Sequence, residues 1–193
     1  MQASSPFLQL GAVVKYSVEQ LLSTAPTRWD QRIAADIAAE LERQLGEKAE
    51  TIPEMRQFLA VKGYRELRER LKKDVDGLSG EGAVRQMALT FRAFAHERPG
   101  LSAATFRNSA TDTPEWRREG ELLGQVAIDV FKTAELTGDQ ALMALRVLRA
   151  LIRGFVLHEM AASFMDHVDY DETFITAVTM FIRGLDVLRG QAT

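Results

Sequence analysis

The sequence predicts an all-α protein, and three observations predict it. Apolar residues recur at three- and four-residue steps along most of the 193-residue chain. The strict alternation of a half-buried strand is nearly absent. The 13 glycines and five prolines mostly fall between the periodic stretches and so act as punctuation.

The first helical stretch, about residues 7–23, carries Leu10, Val13, Val14, Val18, Leu21 and Leu22 on one side. Ala25-Pro26-Thr27 breaks it, because proline fixes φ and has no amide donor. A second stretch runs from Trp29 through Ile33, Ile37 and Leu41 to Leu45 and stops at Gly46. The third begins near Pro53, carries Met55, Phe58, Leu59, Leu67, Leu71 and Val75, and ends at Asp76-Gly77. A fourth, about residues 80–97, turns Val84, Met87, Phe91, Phe94 and Ala95 inward. Pro99 opens a short helix with Leu101 and Phe106, and a polar loop follows at 108–111. Thr113-Pro114-Glu115 is a strong helix start, with a capping threonine and proline at the first helical position, for a helix reaching about Glu135. Thr137-Gly138-Asp139-Gln140 reads as a capping box for a helix ending near Met160 or Phe164. Asp169-Tyr170-Asp171-Glu172 starts the last helix, which runs to about Leu188.

Composition narrows the function. The chain is 46% hydrophobic and 26% charged, enough apolar content for a core and too much for a disordered chain. With no cysteine, disulfide scaffolds, thiolate zinc sites and cysteine nucleophiles are excluded. Lysine and arginine total 24 against 27 acidic residues, a net charge of −3. Residues 141–157 come nearest to a membrane span, but Arg146, Arg149 and Arg153 interrupt them, and Met1–Pro6 lacks a signal-peptide start. A soluble, cytoplasmic protein is expected. His96, His158 and His167 are scattered and fit no zinc-protease or di-iron spacing, so neither an enzyme, a metal nor a cofactor is expected.

The last two long helices are apolar over broad arcs. In one, Arg146, Arg149 and Arg153 form a single polar stripe; in the other, Phe174, Val178, Phe181, Leu185 and Leu188 share a line that Ile175 and Ile182 widen. Such breadth fits a second copy of the chain packed on these helices, and equally a deeply buried terminal helix within one subunit.

Val61-Lys-Gly-Tyr-Arg-Glu-Leu-Arg-Glu-Arg-Leu71, Phe91-Arg-Ala-Phe-Ala-His-Glu-Arg-Pro-Gly-Leu101 and Ala104-Thr-Phe106 resemble the regulatory domain of TetR-type transcriptional regulators. The subgroup resembled carries a Trp-His-Gly signature, which falls in Leu148-Arg-Ala-Leu-Ile-Arg-Gly-Phe-Val156 and is followed by Glu159–Phe164, Asp169–Phe174 and Gly184-Leu185. Ile152 and Arg153 replace the tryptophan and histidine, leaving Gly154. The resemblance covers about residues 54–188. It implies a small N-terminal helical head over residues 1–61, followed by a C-terminal ligand-binding and dimerisation bundle over 62–193. It also implies a homodimer built by the last two helices, with Leu148, Ile152, Phe174, Val178, Phe181 and Leu185 at the seam. A small apolar or amphipathic effector would sit among Met87, Phe91, Phe94, Phe106, Trp116, Phe131, Met143 and Phe155, although each of these also suits an ordinary core.

The resemblance places a helix-turn-helix in the head, around Leu41-Glu-Arg-Gln-Leu-Gly46-Glu-Lys-Ala-Glu-Thr51-Ile52. Gly46 would make the turn, with Thr51 and Ile52 opening the recognition helix; Arg32, Arg43, Lys48 and Thr51 are the candidate contacts to double-stranded operator DNA. Glu42, Glu47 and Pro53 depart from the pattern. Residues 1–61 carry six basic and eight acidic side chains, net −2, where a DNA-binding head normally has a basic excess. The basic cluster at Lys62, Arg65, Arg68, Arg70, Lys72 and Lys73 lies further on. Two function classes follow: a ligand-responsive repressor-type regulator, or a helical ligand-binding or interaction protein of the same fold that has lost DNA reading.

Overall fold

A computed structural model describes residues 52–98, 101, 102, 105, 113–160 and 168–190. Among these residues there are five long helices and no strand: α1 Ile52–Asp74, α2 Gly80–Glu97, α3 Pro114–Thr133, α4 Gly138–Met160 and α5 Tyr170–Arg189. The all-α expectation holds. The stretches expected at 7–23 and 29–45 lie outside the described residues.

Local chemistry explains the breaks. After α1 the chain turns through Gly77 and Gly80, whose φ of 71° and 58° lie in the left-handed region that glycine enters at little cost. α3 stops two residues before the expected Glu135, which itself adopts φ 63°. The amides of Ala134 and Leu136 both donate to the Phe131 carbonyl, at 3.0 and 3.1 Å, and so close the helix end. α5 begins as expected. The Asp169 carboxylate accepts from the Glu172 amide at 2.8 Å, and the Thr173 hydroxyl donates back to the Asp169 carbonyl at 2.7 Å.

The chain divides into two compact units, Met1–Tyr64 with Arg98–Arg118, and Arg65–Glu97 with Glu119–Thr193. In the first, Leu59, Ala60, Tyr64 and Leu101 are buried. Gly63 packs so close to the 101–105 segment that a Cβ would lie 2.9 Å from the Leu101 carbonyl oxygen. The Tyr64 hydroxyl donates to the Thr105 carbonyl at 3.1 Å.

In the second unit α2, α4 and α5 pack against one another. Val84, Met87, Phe91 and Phe94 of α2 meet Leu145, Leu148, Ile152 and Val156 of α4, and Phe174, Val178, Ile182 and Leu185 of α5, in a buried core with Leu123, Ala127 and Phe131 of α3. Each set follows three- and four-residue steps, so one face of each helix is spent inside the chain. Polar side chains tie the ends: Arg189 donates to the Ala134 carbonyl at 2.9 Å, and Gln140 to the Leu188 carbonyl at 2.7 Å.

Candidate functional site

The ends of α2 and α4 and the start of α5 surround an open cleft of about 590 Å³ in the second unit. Leu89, Arg92, Ala93 and His96 line it from α2, Glu159 from α4, and Asp169, Tyr170 and Asp171 from the start of α5. Its volume falls in the range of small-molecule sites.

Arg92 organises this cleft. Its Nε donates to Glu159 Oε2 at 3.0 Å, and its Nη2 to Glu159 Oε1 and, at 2.6 Å, to Asp171 Oδ1. The guanidinium carbon lies 4.8 Å from the Phe174 ring centre and 5.8 Å from that of Phe155, which pack edge to face at 5.2 Å. His96 Nε2 is 3.0 Å from Glu159 Oε2. The Glu159 side chain is only 4% exposed. Burial pushes its carboxyl upward, but hydrogen bonds from Arg92 and His96 and the arginine charge outweigh that and hold it below the ordinary glutamate value. The pairing with Glu159 in turn raises Arg92 above its usual value. A carboxylate held ionised, with its oxygens spent on Arg92 and His96, is poorly placed to move protons; it locks three helices together. Among the described residues no group of three histidine or acidic side chains is arranged to hold a metal ion.

A second charged cluster joins α1 to α3. Glu119 is buried and accepts from Arg65 Nε at 3.0 Å and from Arg68 Nη1. Here too burial raises the carboxyl and the two arginines outweigh it, leaving its pKa lowered. Arg70 pairs with Glu97 at 2.7 Å and Lys72 with Glu69 at 3.5 Å. Most of the basic cluster read in the sequence is therefore matched to acids of the same unit rather than gathered as a bare positive patch.

The eight candidate effector residues do not converge. Met87, Phe91, Phe94 and Phe131 are packed core, at most 5% exposed. Phe155 is half-buried against Phe174. Met143, expected to face inward, is 39% exposed on the outer side of α4. Trp116 is half-buried in the first unit, its ring centre 6.1 Å from that of Tyr64. Phe106 lies outside the described residues.

The six residues expected at the dimer seam are placed differently from that expectation. Leu148, Ile152, Phe174, Val178 and Leu185 are at most 1% exposed in the single chain, so they belong to its own core. Phe181 is half-buried, its ring 6.3 Å from Phe131. The exposed apolar side chains on these helices are others: Leu142, Met143, Val147 and Leu157 on α4, and Ile175, Met180 and Val187 on α5. Periodicity found two apolar arcs on each helix but had no means of telling inner from outer. A finer signal was present. Met143, Val147, Ala150, Gly154 and Leu157 follow steps of 4-3-4-3, as do Thr173, Ala177, Met180, Gly184 and Val187.

Arg32, Arg43, Lys48 and Thr51 lie outside the described residues. Ile52, expected to help open a recognition helix, is the first residue of α1, which continues unbroken to Asp74. Pro53 then occupies the first turn of that helix, where its missing amide donor costs nothing.

Residues 84–181 match the family described as tetracyclin repressor-like, C-terminal domain. The chain is 26% identical over 162 residues to an uncharacterized HTH-type transcriptional regulator of Mycobacterium tuberculosis, covering 82% of this chain and 74% of that protein. Its fold is similar to a structure of a protein with unknown function from Rhodococcus sp. RHA1, with a TM-score of 0.67, 17% identity, and coverage of 94% of this chain and 98% of the other.

Proposed function

The chain belongs to the tetracyclin repressor-like C-terminal domain family of TetR-type regulators, and from that premise we propose that it is a ligand-responsive transcriptional regulator of repressor type, acting as a cytoplasmic homodimer. The regulatory relative and its broad coverage support the transcriptional role. Assembly through the last two helices is supported by the outward seams on α4 and α5. Met180 is 70% exposed, Val187 65%, Leu157 56% and Val147 55%, and such exposure on adjacent helices asks for a covering partner. The 4-3-4-3 spacing suits knobs-into-holes packing of four helices, two from each copy, and Gly154 and Gly184 allow close approach. A permanent interface of this kind buries above ~2,000 Å² in total.

The effector is a small apolar or amphipathic molecule held by the C-terminal domain, and its binding changes the separation of two DNA-reading heads. Electrophoretic mobility shift with the chain's own promoter region tests the regulator directly. Retarded DNA that weakens with rising salt supports it. The net charge of −2 over residues 1–61 favours a second reading, a dimeric ligand-binding protein without DNA recognition. Absence of any shift at low salt, with the dimer intact, selects that reading.

A further inference from the structure

Trp116 carries the one buried side-chain nitrogen or oxygen that has no hydrogen-bond partner among the described residues, its indole Nε1. A buried indole N–H normally finds an acceptor, because water's hydrogen bond has been given up with nothing in return. The polar groups around it in the first unit are already engaged. Thr113 Oγ1 accepts from Gln57 Nε2 and from the Trp116 backbone amide, the latter at 3.3 Å. The Tyr64 hydroxyl donates to the Thr105 carbonyl, and the Thr105 hydroxyl to the Ser102 carbonyl at 2.7 Å. A buried water needs two to four polar partners, and these pairings leave it few besides the indole. The ring itself is held by Tyr64 at 6.1 Å between centroids and by the start of α3.

We propose that the Trp116 Nε1–H is the polar anchor of the effector, and that the effector is an apolar molecule bearing an uncharged hydrogen-bond acceptor, such as a ketone or ester carbonyl. This inference rests on the ligand-responsive reading above and deepens it. An uncharged acceptor follows from the donor. One neutral N–H returns far less than the desolvation of a carboxylate or phosphate costs, so an anion held by this group alone gains nothing on entering. A pure hydrocarbon fills apolar space but leaves the donor unpaired. A carbonyl-bearing chain satisfies both.

The test uses decan-2-one and decane as probes with the full-length dimer. The chain has two tryptophans, so Trp29→Phe leaves Trp116 as the sole indole emitter. Decan-2-one should bind more tightly than decane and shift Trp116 emission to the red as the N–H gains an acceptor; decane should bind without that shift. In Trp116→Phe, which keeps an aromatic ring and deletes the donor, the preference for the ketone should fall by about tenfold, the scale of one neutral hydrogen bond. The unliganded variant should melt no lower than the parent, since no bond was lost. Equal binding of both probes to the parent overturns the anchor while leaving a ligand-responsive protein. Failure of both probes to bind overturns the anchor and counts against the ligand reading as well. Emission already red in the free protein and unmoved by the ketone shows that water holds the N–H, and also overturns it.

Discussion

Gly154→Leu separates the fold of the subunit from its assembly. Gly154 lies within α4, and a Cβ built there meets no atom within 4 Å, so the subunit has room for the larger residue. Leucine is also the better helix former, worth about 0.8 kcal/mol over glycine inside a helix. The isolated chain should therefore hold or gain stability. In a four-helix seam that uses Gly154 for close approach, each copy inserts an isobutyl group where none fits. Overpacking costs about 1–3 kcal/mol per site, so two sites related by the dimer axis cost about 2–6 kcal/mol. At about 1.4 kcal/mol per decade, the dimer dissociation constant rises between roughly 30-fold and 20,000-fold. Sedimentation velocity across a dilution series reads the dissociation constant, and urea melts at low concentration read the subunit. A dimer as tight as the parent, or tighter, refutes a seam through Gly154. Loss of subunit stability refutes the claim that the position is open.

Met180→Glu should likewise give folded monomer, whereas Leu185→Glu should unfold the subunit, because the one is 70% exposed and the other 1%; circular dichroism beside sedimentation tells the two apart. Glu119 and Glu159 have folded pKa values below their ordinary 4.5, so their contribution to stability is complete above that value and is lost as pH falls through the lowered ones. Urea melts of Glu119→Gln and Glu159→Gln from about pH 5 down to 3 should show a shallower loss than the parent, and parallel curves contradict the sign. Gly63→Val should destabilise by about 1–3 kcal/mol through its clash with the Leu101 carbonyl and Thr105 Cγ2; an unchanged melting midpoint dismisses that close approach. Arg43→Ala and Lys48→Ala should each weaken DNA binding and lower the salt slope by about one counterion, and tight binding that survives both locates the DNA surface elsewhere.

Local signals in the sequence determined the helices and most of their ends. Thr113-Pro114 and Asp169 announced α3 and α5, and Asp76-Gly77 the end of α1, because capping and backbone freedom are properties of a few adjacent residues. The family was legible for the same reason, since its segments recur in order along the chain. Partnership across space was not. The sequence shows Arg92 and Glu159 67 positions apart, and nothing in either neighbourhood tells that one would bury its charge against the other beneath Phe174. It shows two apolar arcs on α4 and α5, yet Leu148 and Phe174 went to the core while Val147 and Met180 stayed outside. That choice depends on where α2 lies, and hydrophobicity is non-directional: it marks which surfaces leave water, while the packing of the other helices decides which neighbour covers them.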